Sequence, residues 1–337
     1  MKILFLLKKQ NNYGSYSFKG LSSGLYHSAQ MTAKQLSLNL KVETKLEICI
    51  DGNSIDKELY DYSPDICIIE ALWATPKKLE ELQNLYSNIL FIVRIHSEVP
   101  FLANEGIALE WIKEYQKMPN VAVAFNSREA QASFMSTLYI NFPYLPNIYR
   151  EFSGDKSLGE FKKKSIINIG CFGAIRPMKN QLLQAFAAIS FGNYYNKIIR
   201  FHINGTRKEQ GGEPVIKNIR SLFRGTKHKL IEHPWLPHEE FLEIISNMDL
   251  GLQLSFNESF NIVTADFVSQ GIPIIVGPTI EWMPNISQTS TTNIKKIMNT
   301  MRFALENGNL LVDKERKYLR EYNKEAIVSW KDFIEAT

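Results

Sequence analysis

Short apolar runs alternate with longer amphipathic stretches along most of the chain. In the first half, Ile3–Leu7, Leu46–Ile50, Ile66–Ile69, Ile89–Ile95 and Val121–Phe125 are nearly unbroken aliphatic or β-branched segments. Segments of that length without polar interruption read as strands buried on both faces. Between them, Ser23–Leu38, Pro76–Tyr86, Ala108–Lys117 and Arg128–Thr137 show the wider apolar spacing of helices. Strands of this kind, each followed by a helix, predict a doubly wound parallel sheet.

The stretch Arg150–Lys164 is polar, contains glycine and is weakly periodic, so it reads as a linker. A second alternation follows, with strands at Ile166–Cys171, Ile198–Ile203, Lys229–Ile231, Leu250–Leu254 and Ile272–Val276. Its helices fall at Gln181–Ser190, Pro214–Phe223, His238–Asn247 and Thr264–Ser269, and the tail from Thr291 onward is amphipathic and helical. The expected fold is therefore α/β, with two Rossmann-like domains facing a central cleft. An N-terminal domain would span 1–150 and a C-terminal domain 151–317. A last helix, about 318–337, would pack back on the first domain. Ligands of open α/β sheets bind beyond the carboxyl ends of the strands, so both sheets should present those ends to the cleft.

Composition narrows this picture without redirecting it. A length of 337 residues allows two domains, each able to bury its own core, and 45% hydrophobic with 22% charged residues is ordinary for a globular protein. No apolar run reaches the roughly eighteen residues needed to span a bilayer. The opening MKILFLLKKQNNYG has only a five-residue apolar stretch, Ile3–Leu7, and reads as a first core strand and not a signal peptide. Cys49, Cys67 and Cys171 lie inside strand-like runs, as buried thiols of a reducing, cytoplasmic compartment would. The net charge is +4, and residues 1–42 carry Lys2, Lys8, Lys9, Lys19, Lys34 and Lys41 with no acid before Glu43. With Tyr13, Tyr16, Phe18 and Tyr26 interleaved, this segment suits an anionic partner, either a nucleic acid backbone or an acidic membrane surface. It reads equally well as a solvated lysine face with packing tyrosines.

Two motifs carry chemistry. In Ile169-Gly170-Cys171-Phe172-Gly173-Ala174-Ile175-Arg176-Pro177-Met178-Lys179-Asn180 a strand runs into a glycine turn, and two cations precede a helix. Gly173 permits the turn, the helix start offers N–H groups, and Arg176 with Lys179 can grip phosphate oxygens. Fixed cations there would stabilise a leaving nucleoside diphosphate as its charge develops. Downstream, Glu258 and Asp266 are separated by seven residues and precede Gly271-Ile272-Pro273 and the run Ile274–Val276. Two carboxylates on a loop-to-helix transition suit the hydroxyls of a sugar or ribose. The first domain adds a strand, Phe91–Ile95, ending on His96, with Glu98 close behind.

This layout resembles the retaining GT-B glycosyltransferases, in particular the large group usually called family four. Arg176, Lys179, Glu258 and Gly271-Ile272-Pro273 occur in that family's order and at familiar spacing, most clearly over residues 165–280. Asp266 departs from it, standing where the family has a second Glu that holds ribose, so it keeps the charge with a shorter reach. The resemblance implies that Glu258 holds sugar hydroxyls and that the backbone of Phe260, Asn261, Ile262 and Val263 approaches the diphosphate. It places His96 against the donor sugar and the nucleobase near Trp235, which is also a candidate core aromatic. Ser22-Ser23-Gly24 matches the small-residue loop that brings donor and acceptor together, with Gly24 on the donor side, though the serine could simply cap the helix.

The implied reaction moves a sugar from a nucleotide-diphosphate donor, UDP-linked by expectation, to an acceptor hydroxyl with retention, without metal or other cofactor. The absence of an Asp-x-Asp, of an opening Gly-x-Gly-x-x-Gly, of a Gly-x-Ser-x-Gly elbow and of a clustered Cys/His set argues against other site types. Residues 173–189, GAIRPMKNQLLQAFAAI, resemble phage-encoded glycosyltransferases that modify their own genomes, which would put the enzyme in the host cytoplasm. The favoured acceptor is then a hydroxymethylated pyrimidine in DNA, with Lys8, Lys9, Tyr13, Lys19 and Glu98 on the acceptor side. A surface polysaccharide or lipid-linked glycan is the alternative. A GT-B epimerase and an inactive sugar-nucleotide-binding protein are further readings.

Overall fold

The computed structural model describes residues 1–9, 23–150 and 160–337. These fall into two compact units, one holding residues 1–9, 23–150 and 322–337 and the other 160–321.

In the first unit the order is β1 (Lys2–Lys8), α1 (Ser23–Leu40), β2 (Glu43–Cys49), α2 (Ile55–Tyr62), β3 (Ile66–Glu70), α3 (Pro76–Leu85), β4 (Leu90–Ile95), α4 (Val99–Leu102), α5 (Ala108–Tyr115), β5 (Val121–Phe125) and α6 (Arg128–Leu138). The five strands form one parallel sheet, ordered β2-β1-β3-β4-β5. Alternate residues supply two separate cores. Leu4, Leu6, Cys67, Ile69, Phe91 and Val93 belong to one, and Ile3, Phe5, Ile66, Ile68 and Ile92 to the other. That explains why these strands read as continuous apolar runs: side chains point alternately to opposite faces, and both faces are covered. Helix starts follow from local capping. Thr75 accepts from the Lys78 N–H ahead of Pro76 in α3, and Ser127 accepts from the Ala130 N–H in α6.

The second unit runs through β6 (Ile166–Gly170), α7 (Gln181–Tyr194), β7 (Ile198–Asn204), α8 (Gly212–Phe223), β8 (Lys229–His233), α9 (His238–Ser246), β9 (Leu250–Gln253), α10 (Ile262–Ser269), β10 (Ile274–Val276) and α11 (Ile294–Glu306). Its sheet is also parallel, ordered β10-β9-β6-β7-β8. The chain leaves β6 towards β7 and β8, then returns on the other side at β9, so the switch point lies between β6 and β9. At that point Gly170 faces Gly251 across the ladder. A Cβ on Gly170 would stand 2.7 Å from Phe267 Cζ, and one on Gly251 2.7 Å from Phe267 Cδ1. The two glycines make the room in which Phe267 lets α10 pack close over the switch point.

The closing helix α12 (Gly308–Ala336) contributes residues 308–321 to the second unit and 322–336 to the first. Within the first unit Trp330 is fully buried, 6.0 Å from Phe5, and its Nε1 donates to the Pro146 carbonyl at 2.8 Å. Phe161, inside the stretch read as linker, is buried in the second core against Phe191 and Tyr195. All three cysteines are buried and unpaired. Among the described residues, no helix is long and apolar enough to cross a membrane.

Candidate functional site

The loop after β6 begins the site. Gly173 adopts φ +111°, a conformation that side-chain-bearing residues rarely take, and its N–H donates to Asn204 Oδ1 at 2.9 Å. Gly173, expected among the donor-binding residues, thus has its N–H held by the end of β7. Ile175 then pairs with the loop after β7: its N–H donates to the Arg207 carbonyl at 2.9 Å, and its carbonyl accepts from the Glu209 N–H at 3.0 Å. Arg176 caps a short 3-10 turn, Pro177–Lys179, and Asn180 follows in the left-handed region at φ 54°.

Polar side chains staple this loop to the one after β9. Asn180 Nδ2 donates to the carbonyls of Leu254 and Thr291 at 3.1 and 2.8 Å. Gln184 accepts from the Leu254 N–H at 3.2 Å and donates to the Lys179 carbonyl at 2.8 Å. The Phe256 N–H donates to the Met178 carbonyl at 2.9 Å. The consequence is an ion pair between Lys179 Nζ and Glu258 Oε1, with side chains only 13% and 9% exposed. Burial pushes the Lys179 ammonium below the usual lysine range and Arg176 adds to this, although Glu258 pulls the other way. Arg176 lies 3.8 Å from Glu209, after β7, and both act on the Lys179 charge, so the cations after β6 share one cluster with the acids after β7 and β9.

The start of α10 is fixed just as firmly. Asn261, at φ 59°, accepts from the Thr264 N–H at 2.9 Å and donates to Gln253 at 2.9 Å. Phe260 is buried, stacks on Trp282 at 5.6 Å and offers its carbonyl to the Trp282 Nε1 at 2.7 Å. Ile262 and Val263 are half-buried in the first turn, where helix geometry leaves N–H groups without intrahelical acceptors. Asp266 is one turn further on, 1% exposed, and its Oδ1 lies 2.8 Å from His238 Nε2 at the start of α9. The shorter acid is thus paired with an imidazole.

After β8, Trp235 is half-buried and lies under Arg207, whose Cζ is 4.4 Å from the ring centroid. Loops following β6, β7, β8 and β9 therefore each contribute to one continuous cluster: Trp235, Arg207, Glu209, Arg176, Lys179 and Glu258.

In the first unit, His96 follows β4 in a buried polar network. Its Nε2 pairs with Glu70 Oε2 and its Nδ1 is 3.1 Å from Asn126 Nδ2, which fits a proton on Nε2 and an acceptor at Nδ1. Arg94 grips Glu70 with Nη1 at 2.9 and 3.0 Å and the Leu145 carbonyl with Nε at 2.8 Å. Burial opposes the Glu70 charge, but Arg94 and His96 outweigh it and hold the carboxyl below its usual range. Burial also depresses His96, so the ring is neutral near pH 7. Glu98 is buried at the start of α4, and Lys8 and Lys9 are exposed at the end of β1. Gly24 lies in the first turn of α1. Tyr13, Lys19 and Ser22 fall outside the described residues.

Sequence reasoning missed Arg207, Glu209 and His238. One signal was present: Asn204-Gly205-Thr206-Arg207-Lys208-Glu209 repeats the strand, glycine and cation pattern of residues 169–179. Among the described residues, no group of three or more His, Cys, Asp or Glu side chains is placed to hold a metal ion.

The chain matches no protein-family model and no curated protein. Solved structures do resemble it. The UDP-forming α,α-trehalose-phosphate synthase of Burkholderia xenovorans superposes with a TM-score of 0.61 at 10% identity, over 85% of this chain and 75% of that one. Sucrose-phosphate synthase of Thermosynechococcus elongatus gives 0.67 at 11% identity, with 100% of both chains covered. A trehalose-6-phosphate synthase studied for enzymatic glycosyltransfer with retention gives 0.60 at 11% identity, over 85% and 76% of the two chains. These neighbours are GT-B glycosyltransferases, and the chain has their fold, with two parallel five-stranded α/β sheets.

Proposed function

We propose that the chain is a retaining glycosyltransferase that moves a sugar from a nucleotide-diphosphate donor, UDP-linked, to an acceptor hydroxyl. One observation carries this: Glu258, 79 residues along the chain from Lys179, pairs with it beside Arg176 at the switch point of the second sheet, where α/β folds bind ligands. In this reading Arg176 and Lys179 hold the diphosphate and offset its growing charge, while Glu258 holds sugar hydroxyls. The first turn of α10 directs N–H groups at phosphate, Asp266 with His238 serves the ribose, and Trp235 serves the base. His96 acts as a neutral imidazole on the donor sugar's side. Retention is supported by fold likeness to a synthase that transfers with retention. The leaving phosphate would accept the acceptor's proton, so a dedicated base is not required.

For the acceptor we assign a hydroxymethylated pyrimidine in DNA. The lysine-rich start of the chain and the exposed Lys8 and Lys9 support an anionic acceptor. A mass-spectrometric screen pairs nucleotide sugars with hydroxymethylated DNA, plain DNA and glycan acceptors. The expected product is glycosylated hydroxymethylated DNA. Transfer to glycans alone would overturn the acceptor, and neither turnover nor donor binding by any nucleotide sugar would overturn the activity. In the same assay Arg176→Ala should cost about 3–4 kcal/mol of transition-state stabilisation, the size of one lost oxyanion contact.

A further inference from the structure

Glu209 stands between two guanidinium groups. Its Oε1 is 2.6 Å from Arg207 Nε and 2.5 Å from Arg207 Nη2, while its Oε2 is 3.8 Å from Arg176 Nη1. The Arg207 contact is hydrogen-bonded and two-pronged, whereas the Arg176 contact is beyond hydrogen-bond range and purely electrostatic. Arg207 is itself anchored, with its guanidinium over Trp235 and its carbonyl accepting from the Ile175 N–H. Among the described residues, these ion pairs set three cations, Arg176, Lys179 and Arg207, against two acids, Glu209 and Glu258, a net +1. These side chains are 9–19% exposed, so their mutual fields are weakly screened. An acid beside a phosphate-gripping arginine opposes the ligand as well as steering the arginine.

We infer that Glu209, anchored by Arg207 and Trp235, is a positioning residue that aims Arg176 and limits how tightly the site holds the diphosphate product. The inference rests on the assignment of Arg176 to the diphosphate. It makes the affinity follow the charge. Glu209→Gln leaves the shape and raises the cluster to +2, so a diphosphate binds more tightly and leaves more slowly. Arg207→Ala frees Glu209 to engage Arg176 fully, so binding weakens. The double variant restores the net +1.

The test is calorimetric binding of inorganic pyrophosphate and of UDP at fixed ionic strength, with thermal unfolding of each variant as a folding check. Glu209→Gln should tighten pyrophosphate roughly tenfold, Arg207→Ala should weaken it by a similar factor, and the double variant should fall within about threefold of wild type. In transfer assays Glu209→Gln should lower the donor KM and kcat together, as slowed product release requires. A purely structural role would raise KM and lower the unfolding temperature, and that result, or unchanged or weaker pyrophosphate binding by folded Glu209→Gln, overturns the inference. Arg176→Ala separates the two levels. If it leaves pyrophosphate binding intact, the diphosphate assignment itself fails; if it weakens binding while Glu209→Gln does not tighten it, only the role of Glu209 fails.

Discussion

Lys179 shows how one side chain's chemistry is set by its neighbours. Its ammonium is shielded, and burial works against its charge while Glu258 sustains it. The folded site therefore loses this charge at a lower pH than the 10.5 of an unperturbed lysine. Removing Glu258 takes away the largest stabilising partner, so Glu258→Gln should move the alkaline loss of pyrophosphate affinity to still lower pH. Binding titrations across the alkaline range would show it, and an unmoved or upward-shifted limb would rule it out. The charged residue types of the proposed donor site were legible in sequence because Arg176, Lys179 and Glu258 lie on loops bounded by glycine and by strands. Their partners were not. Glu209 and His238 reach Arg176 and Asp266 only through the order in which the strands assemble. Nothing in a linear spacing announces such a pairing.

At the scale of elements, β7 and β8 carry a feature with a pH signature. His202 and His233 lie on adjacent strands, stacked at 5.1 Å and 15°, with Nδ1 and Nε2 2.9 Å apart. Burial and the neighbouring His233 push His202 from 6.5 to about 4, and burial also lowers His233. The unfolded chain takes up these protons first, so the pair's contribution is complete above about pH 6.5 and is lost as pH falls towards about 4. For His202 that is at most about 3 kcal/mol. Denaturant unfolding at stepped pH should show stability falling through this window, and His233→Phe should flatten the fall; an unchanged slope would remove the pair as its cause. The central strands β1, β3 and β4 coincide with apolar runs because burial on both faces leaves a continuous pattern, whereas the edge strands β2 and β8 are partly exposed and overlap their runs only in part. The helix α2 was missed, since Ile55–Tyr62 buries only Ile55 and Leu59 and its start depends on Asp51 capping a preceding turn. The four-residue α4 is too short for any helical period to register.

At the scale of the whole molecule, charge distribution decides which acceptor can be approached. A net charge of +4 is small, but six lysines precede the first acid, and Lys8 and Lys9 stand exposed at the end of β1. A duplex contacted at about four phosphates would give a log–log salt slope near −3.6, because each neutralised phosphate releases condensed counterions. Replacing both Lys8 and Lys9 by alanine should flatten the slope by about 1.8 if each meets a phosphate. Fluorescence anisotropy on hydroxymethylated duplexes between low and moderate salt measures both numbers. If a DNA base is the acceptor, it must also leave the stack to reach the proposed donor site, so single-stranded or mismatched substrates should be glycosylated faster than fully paired ones. Salt-independent binding would remove DNA as the acceptor, and equal slopes for wild type and the double variant would remove Lys8 and Lys9 as its phosphate contacts; neither result would touch the donor chemistry proposed for the second unit.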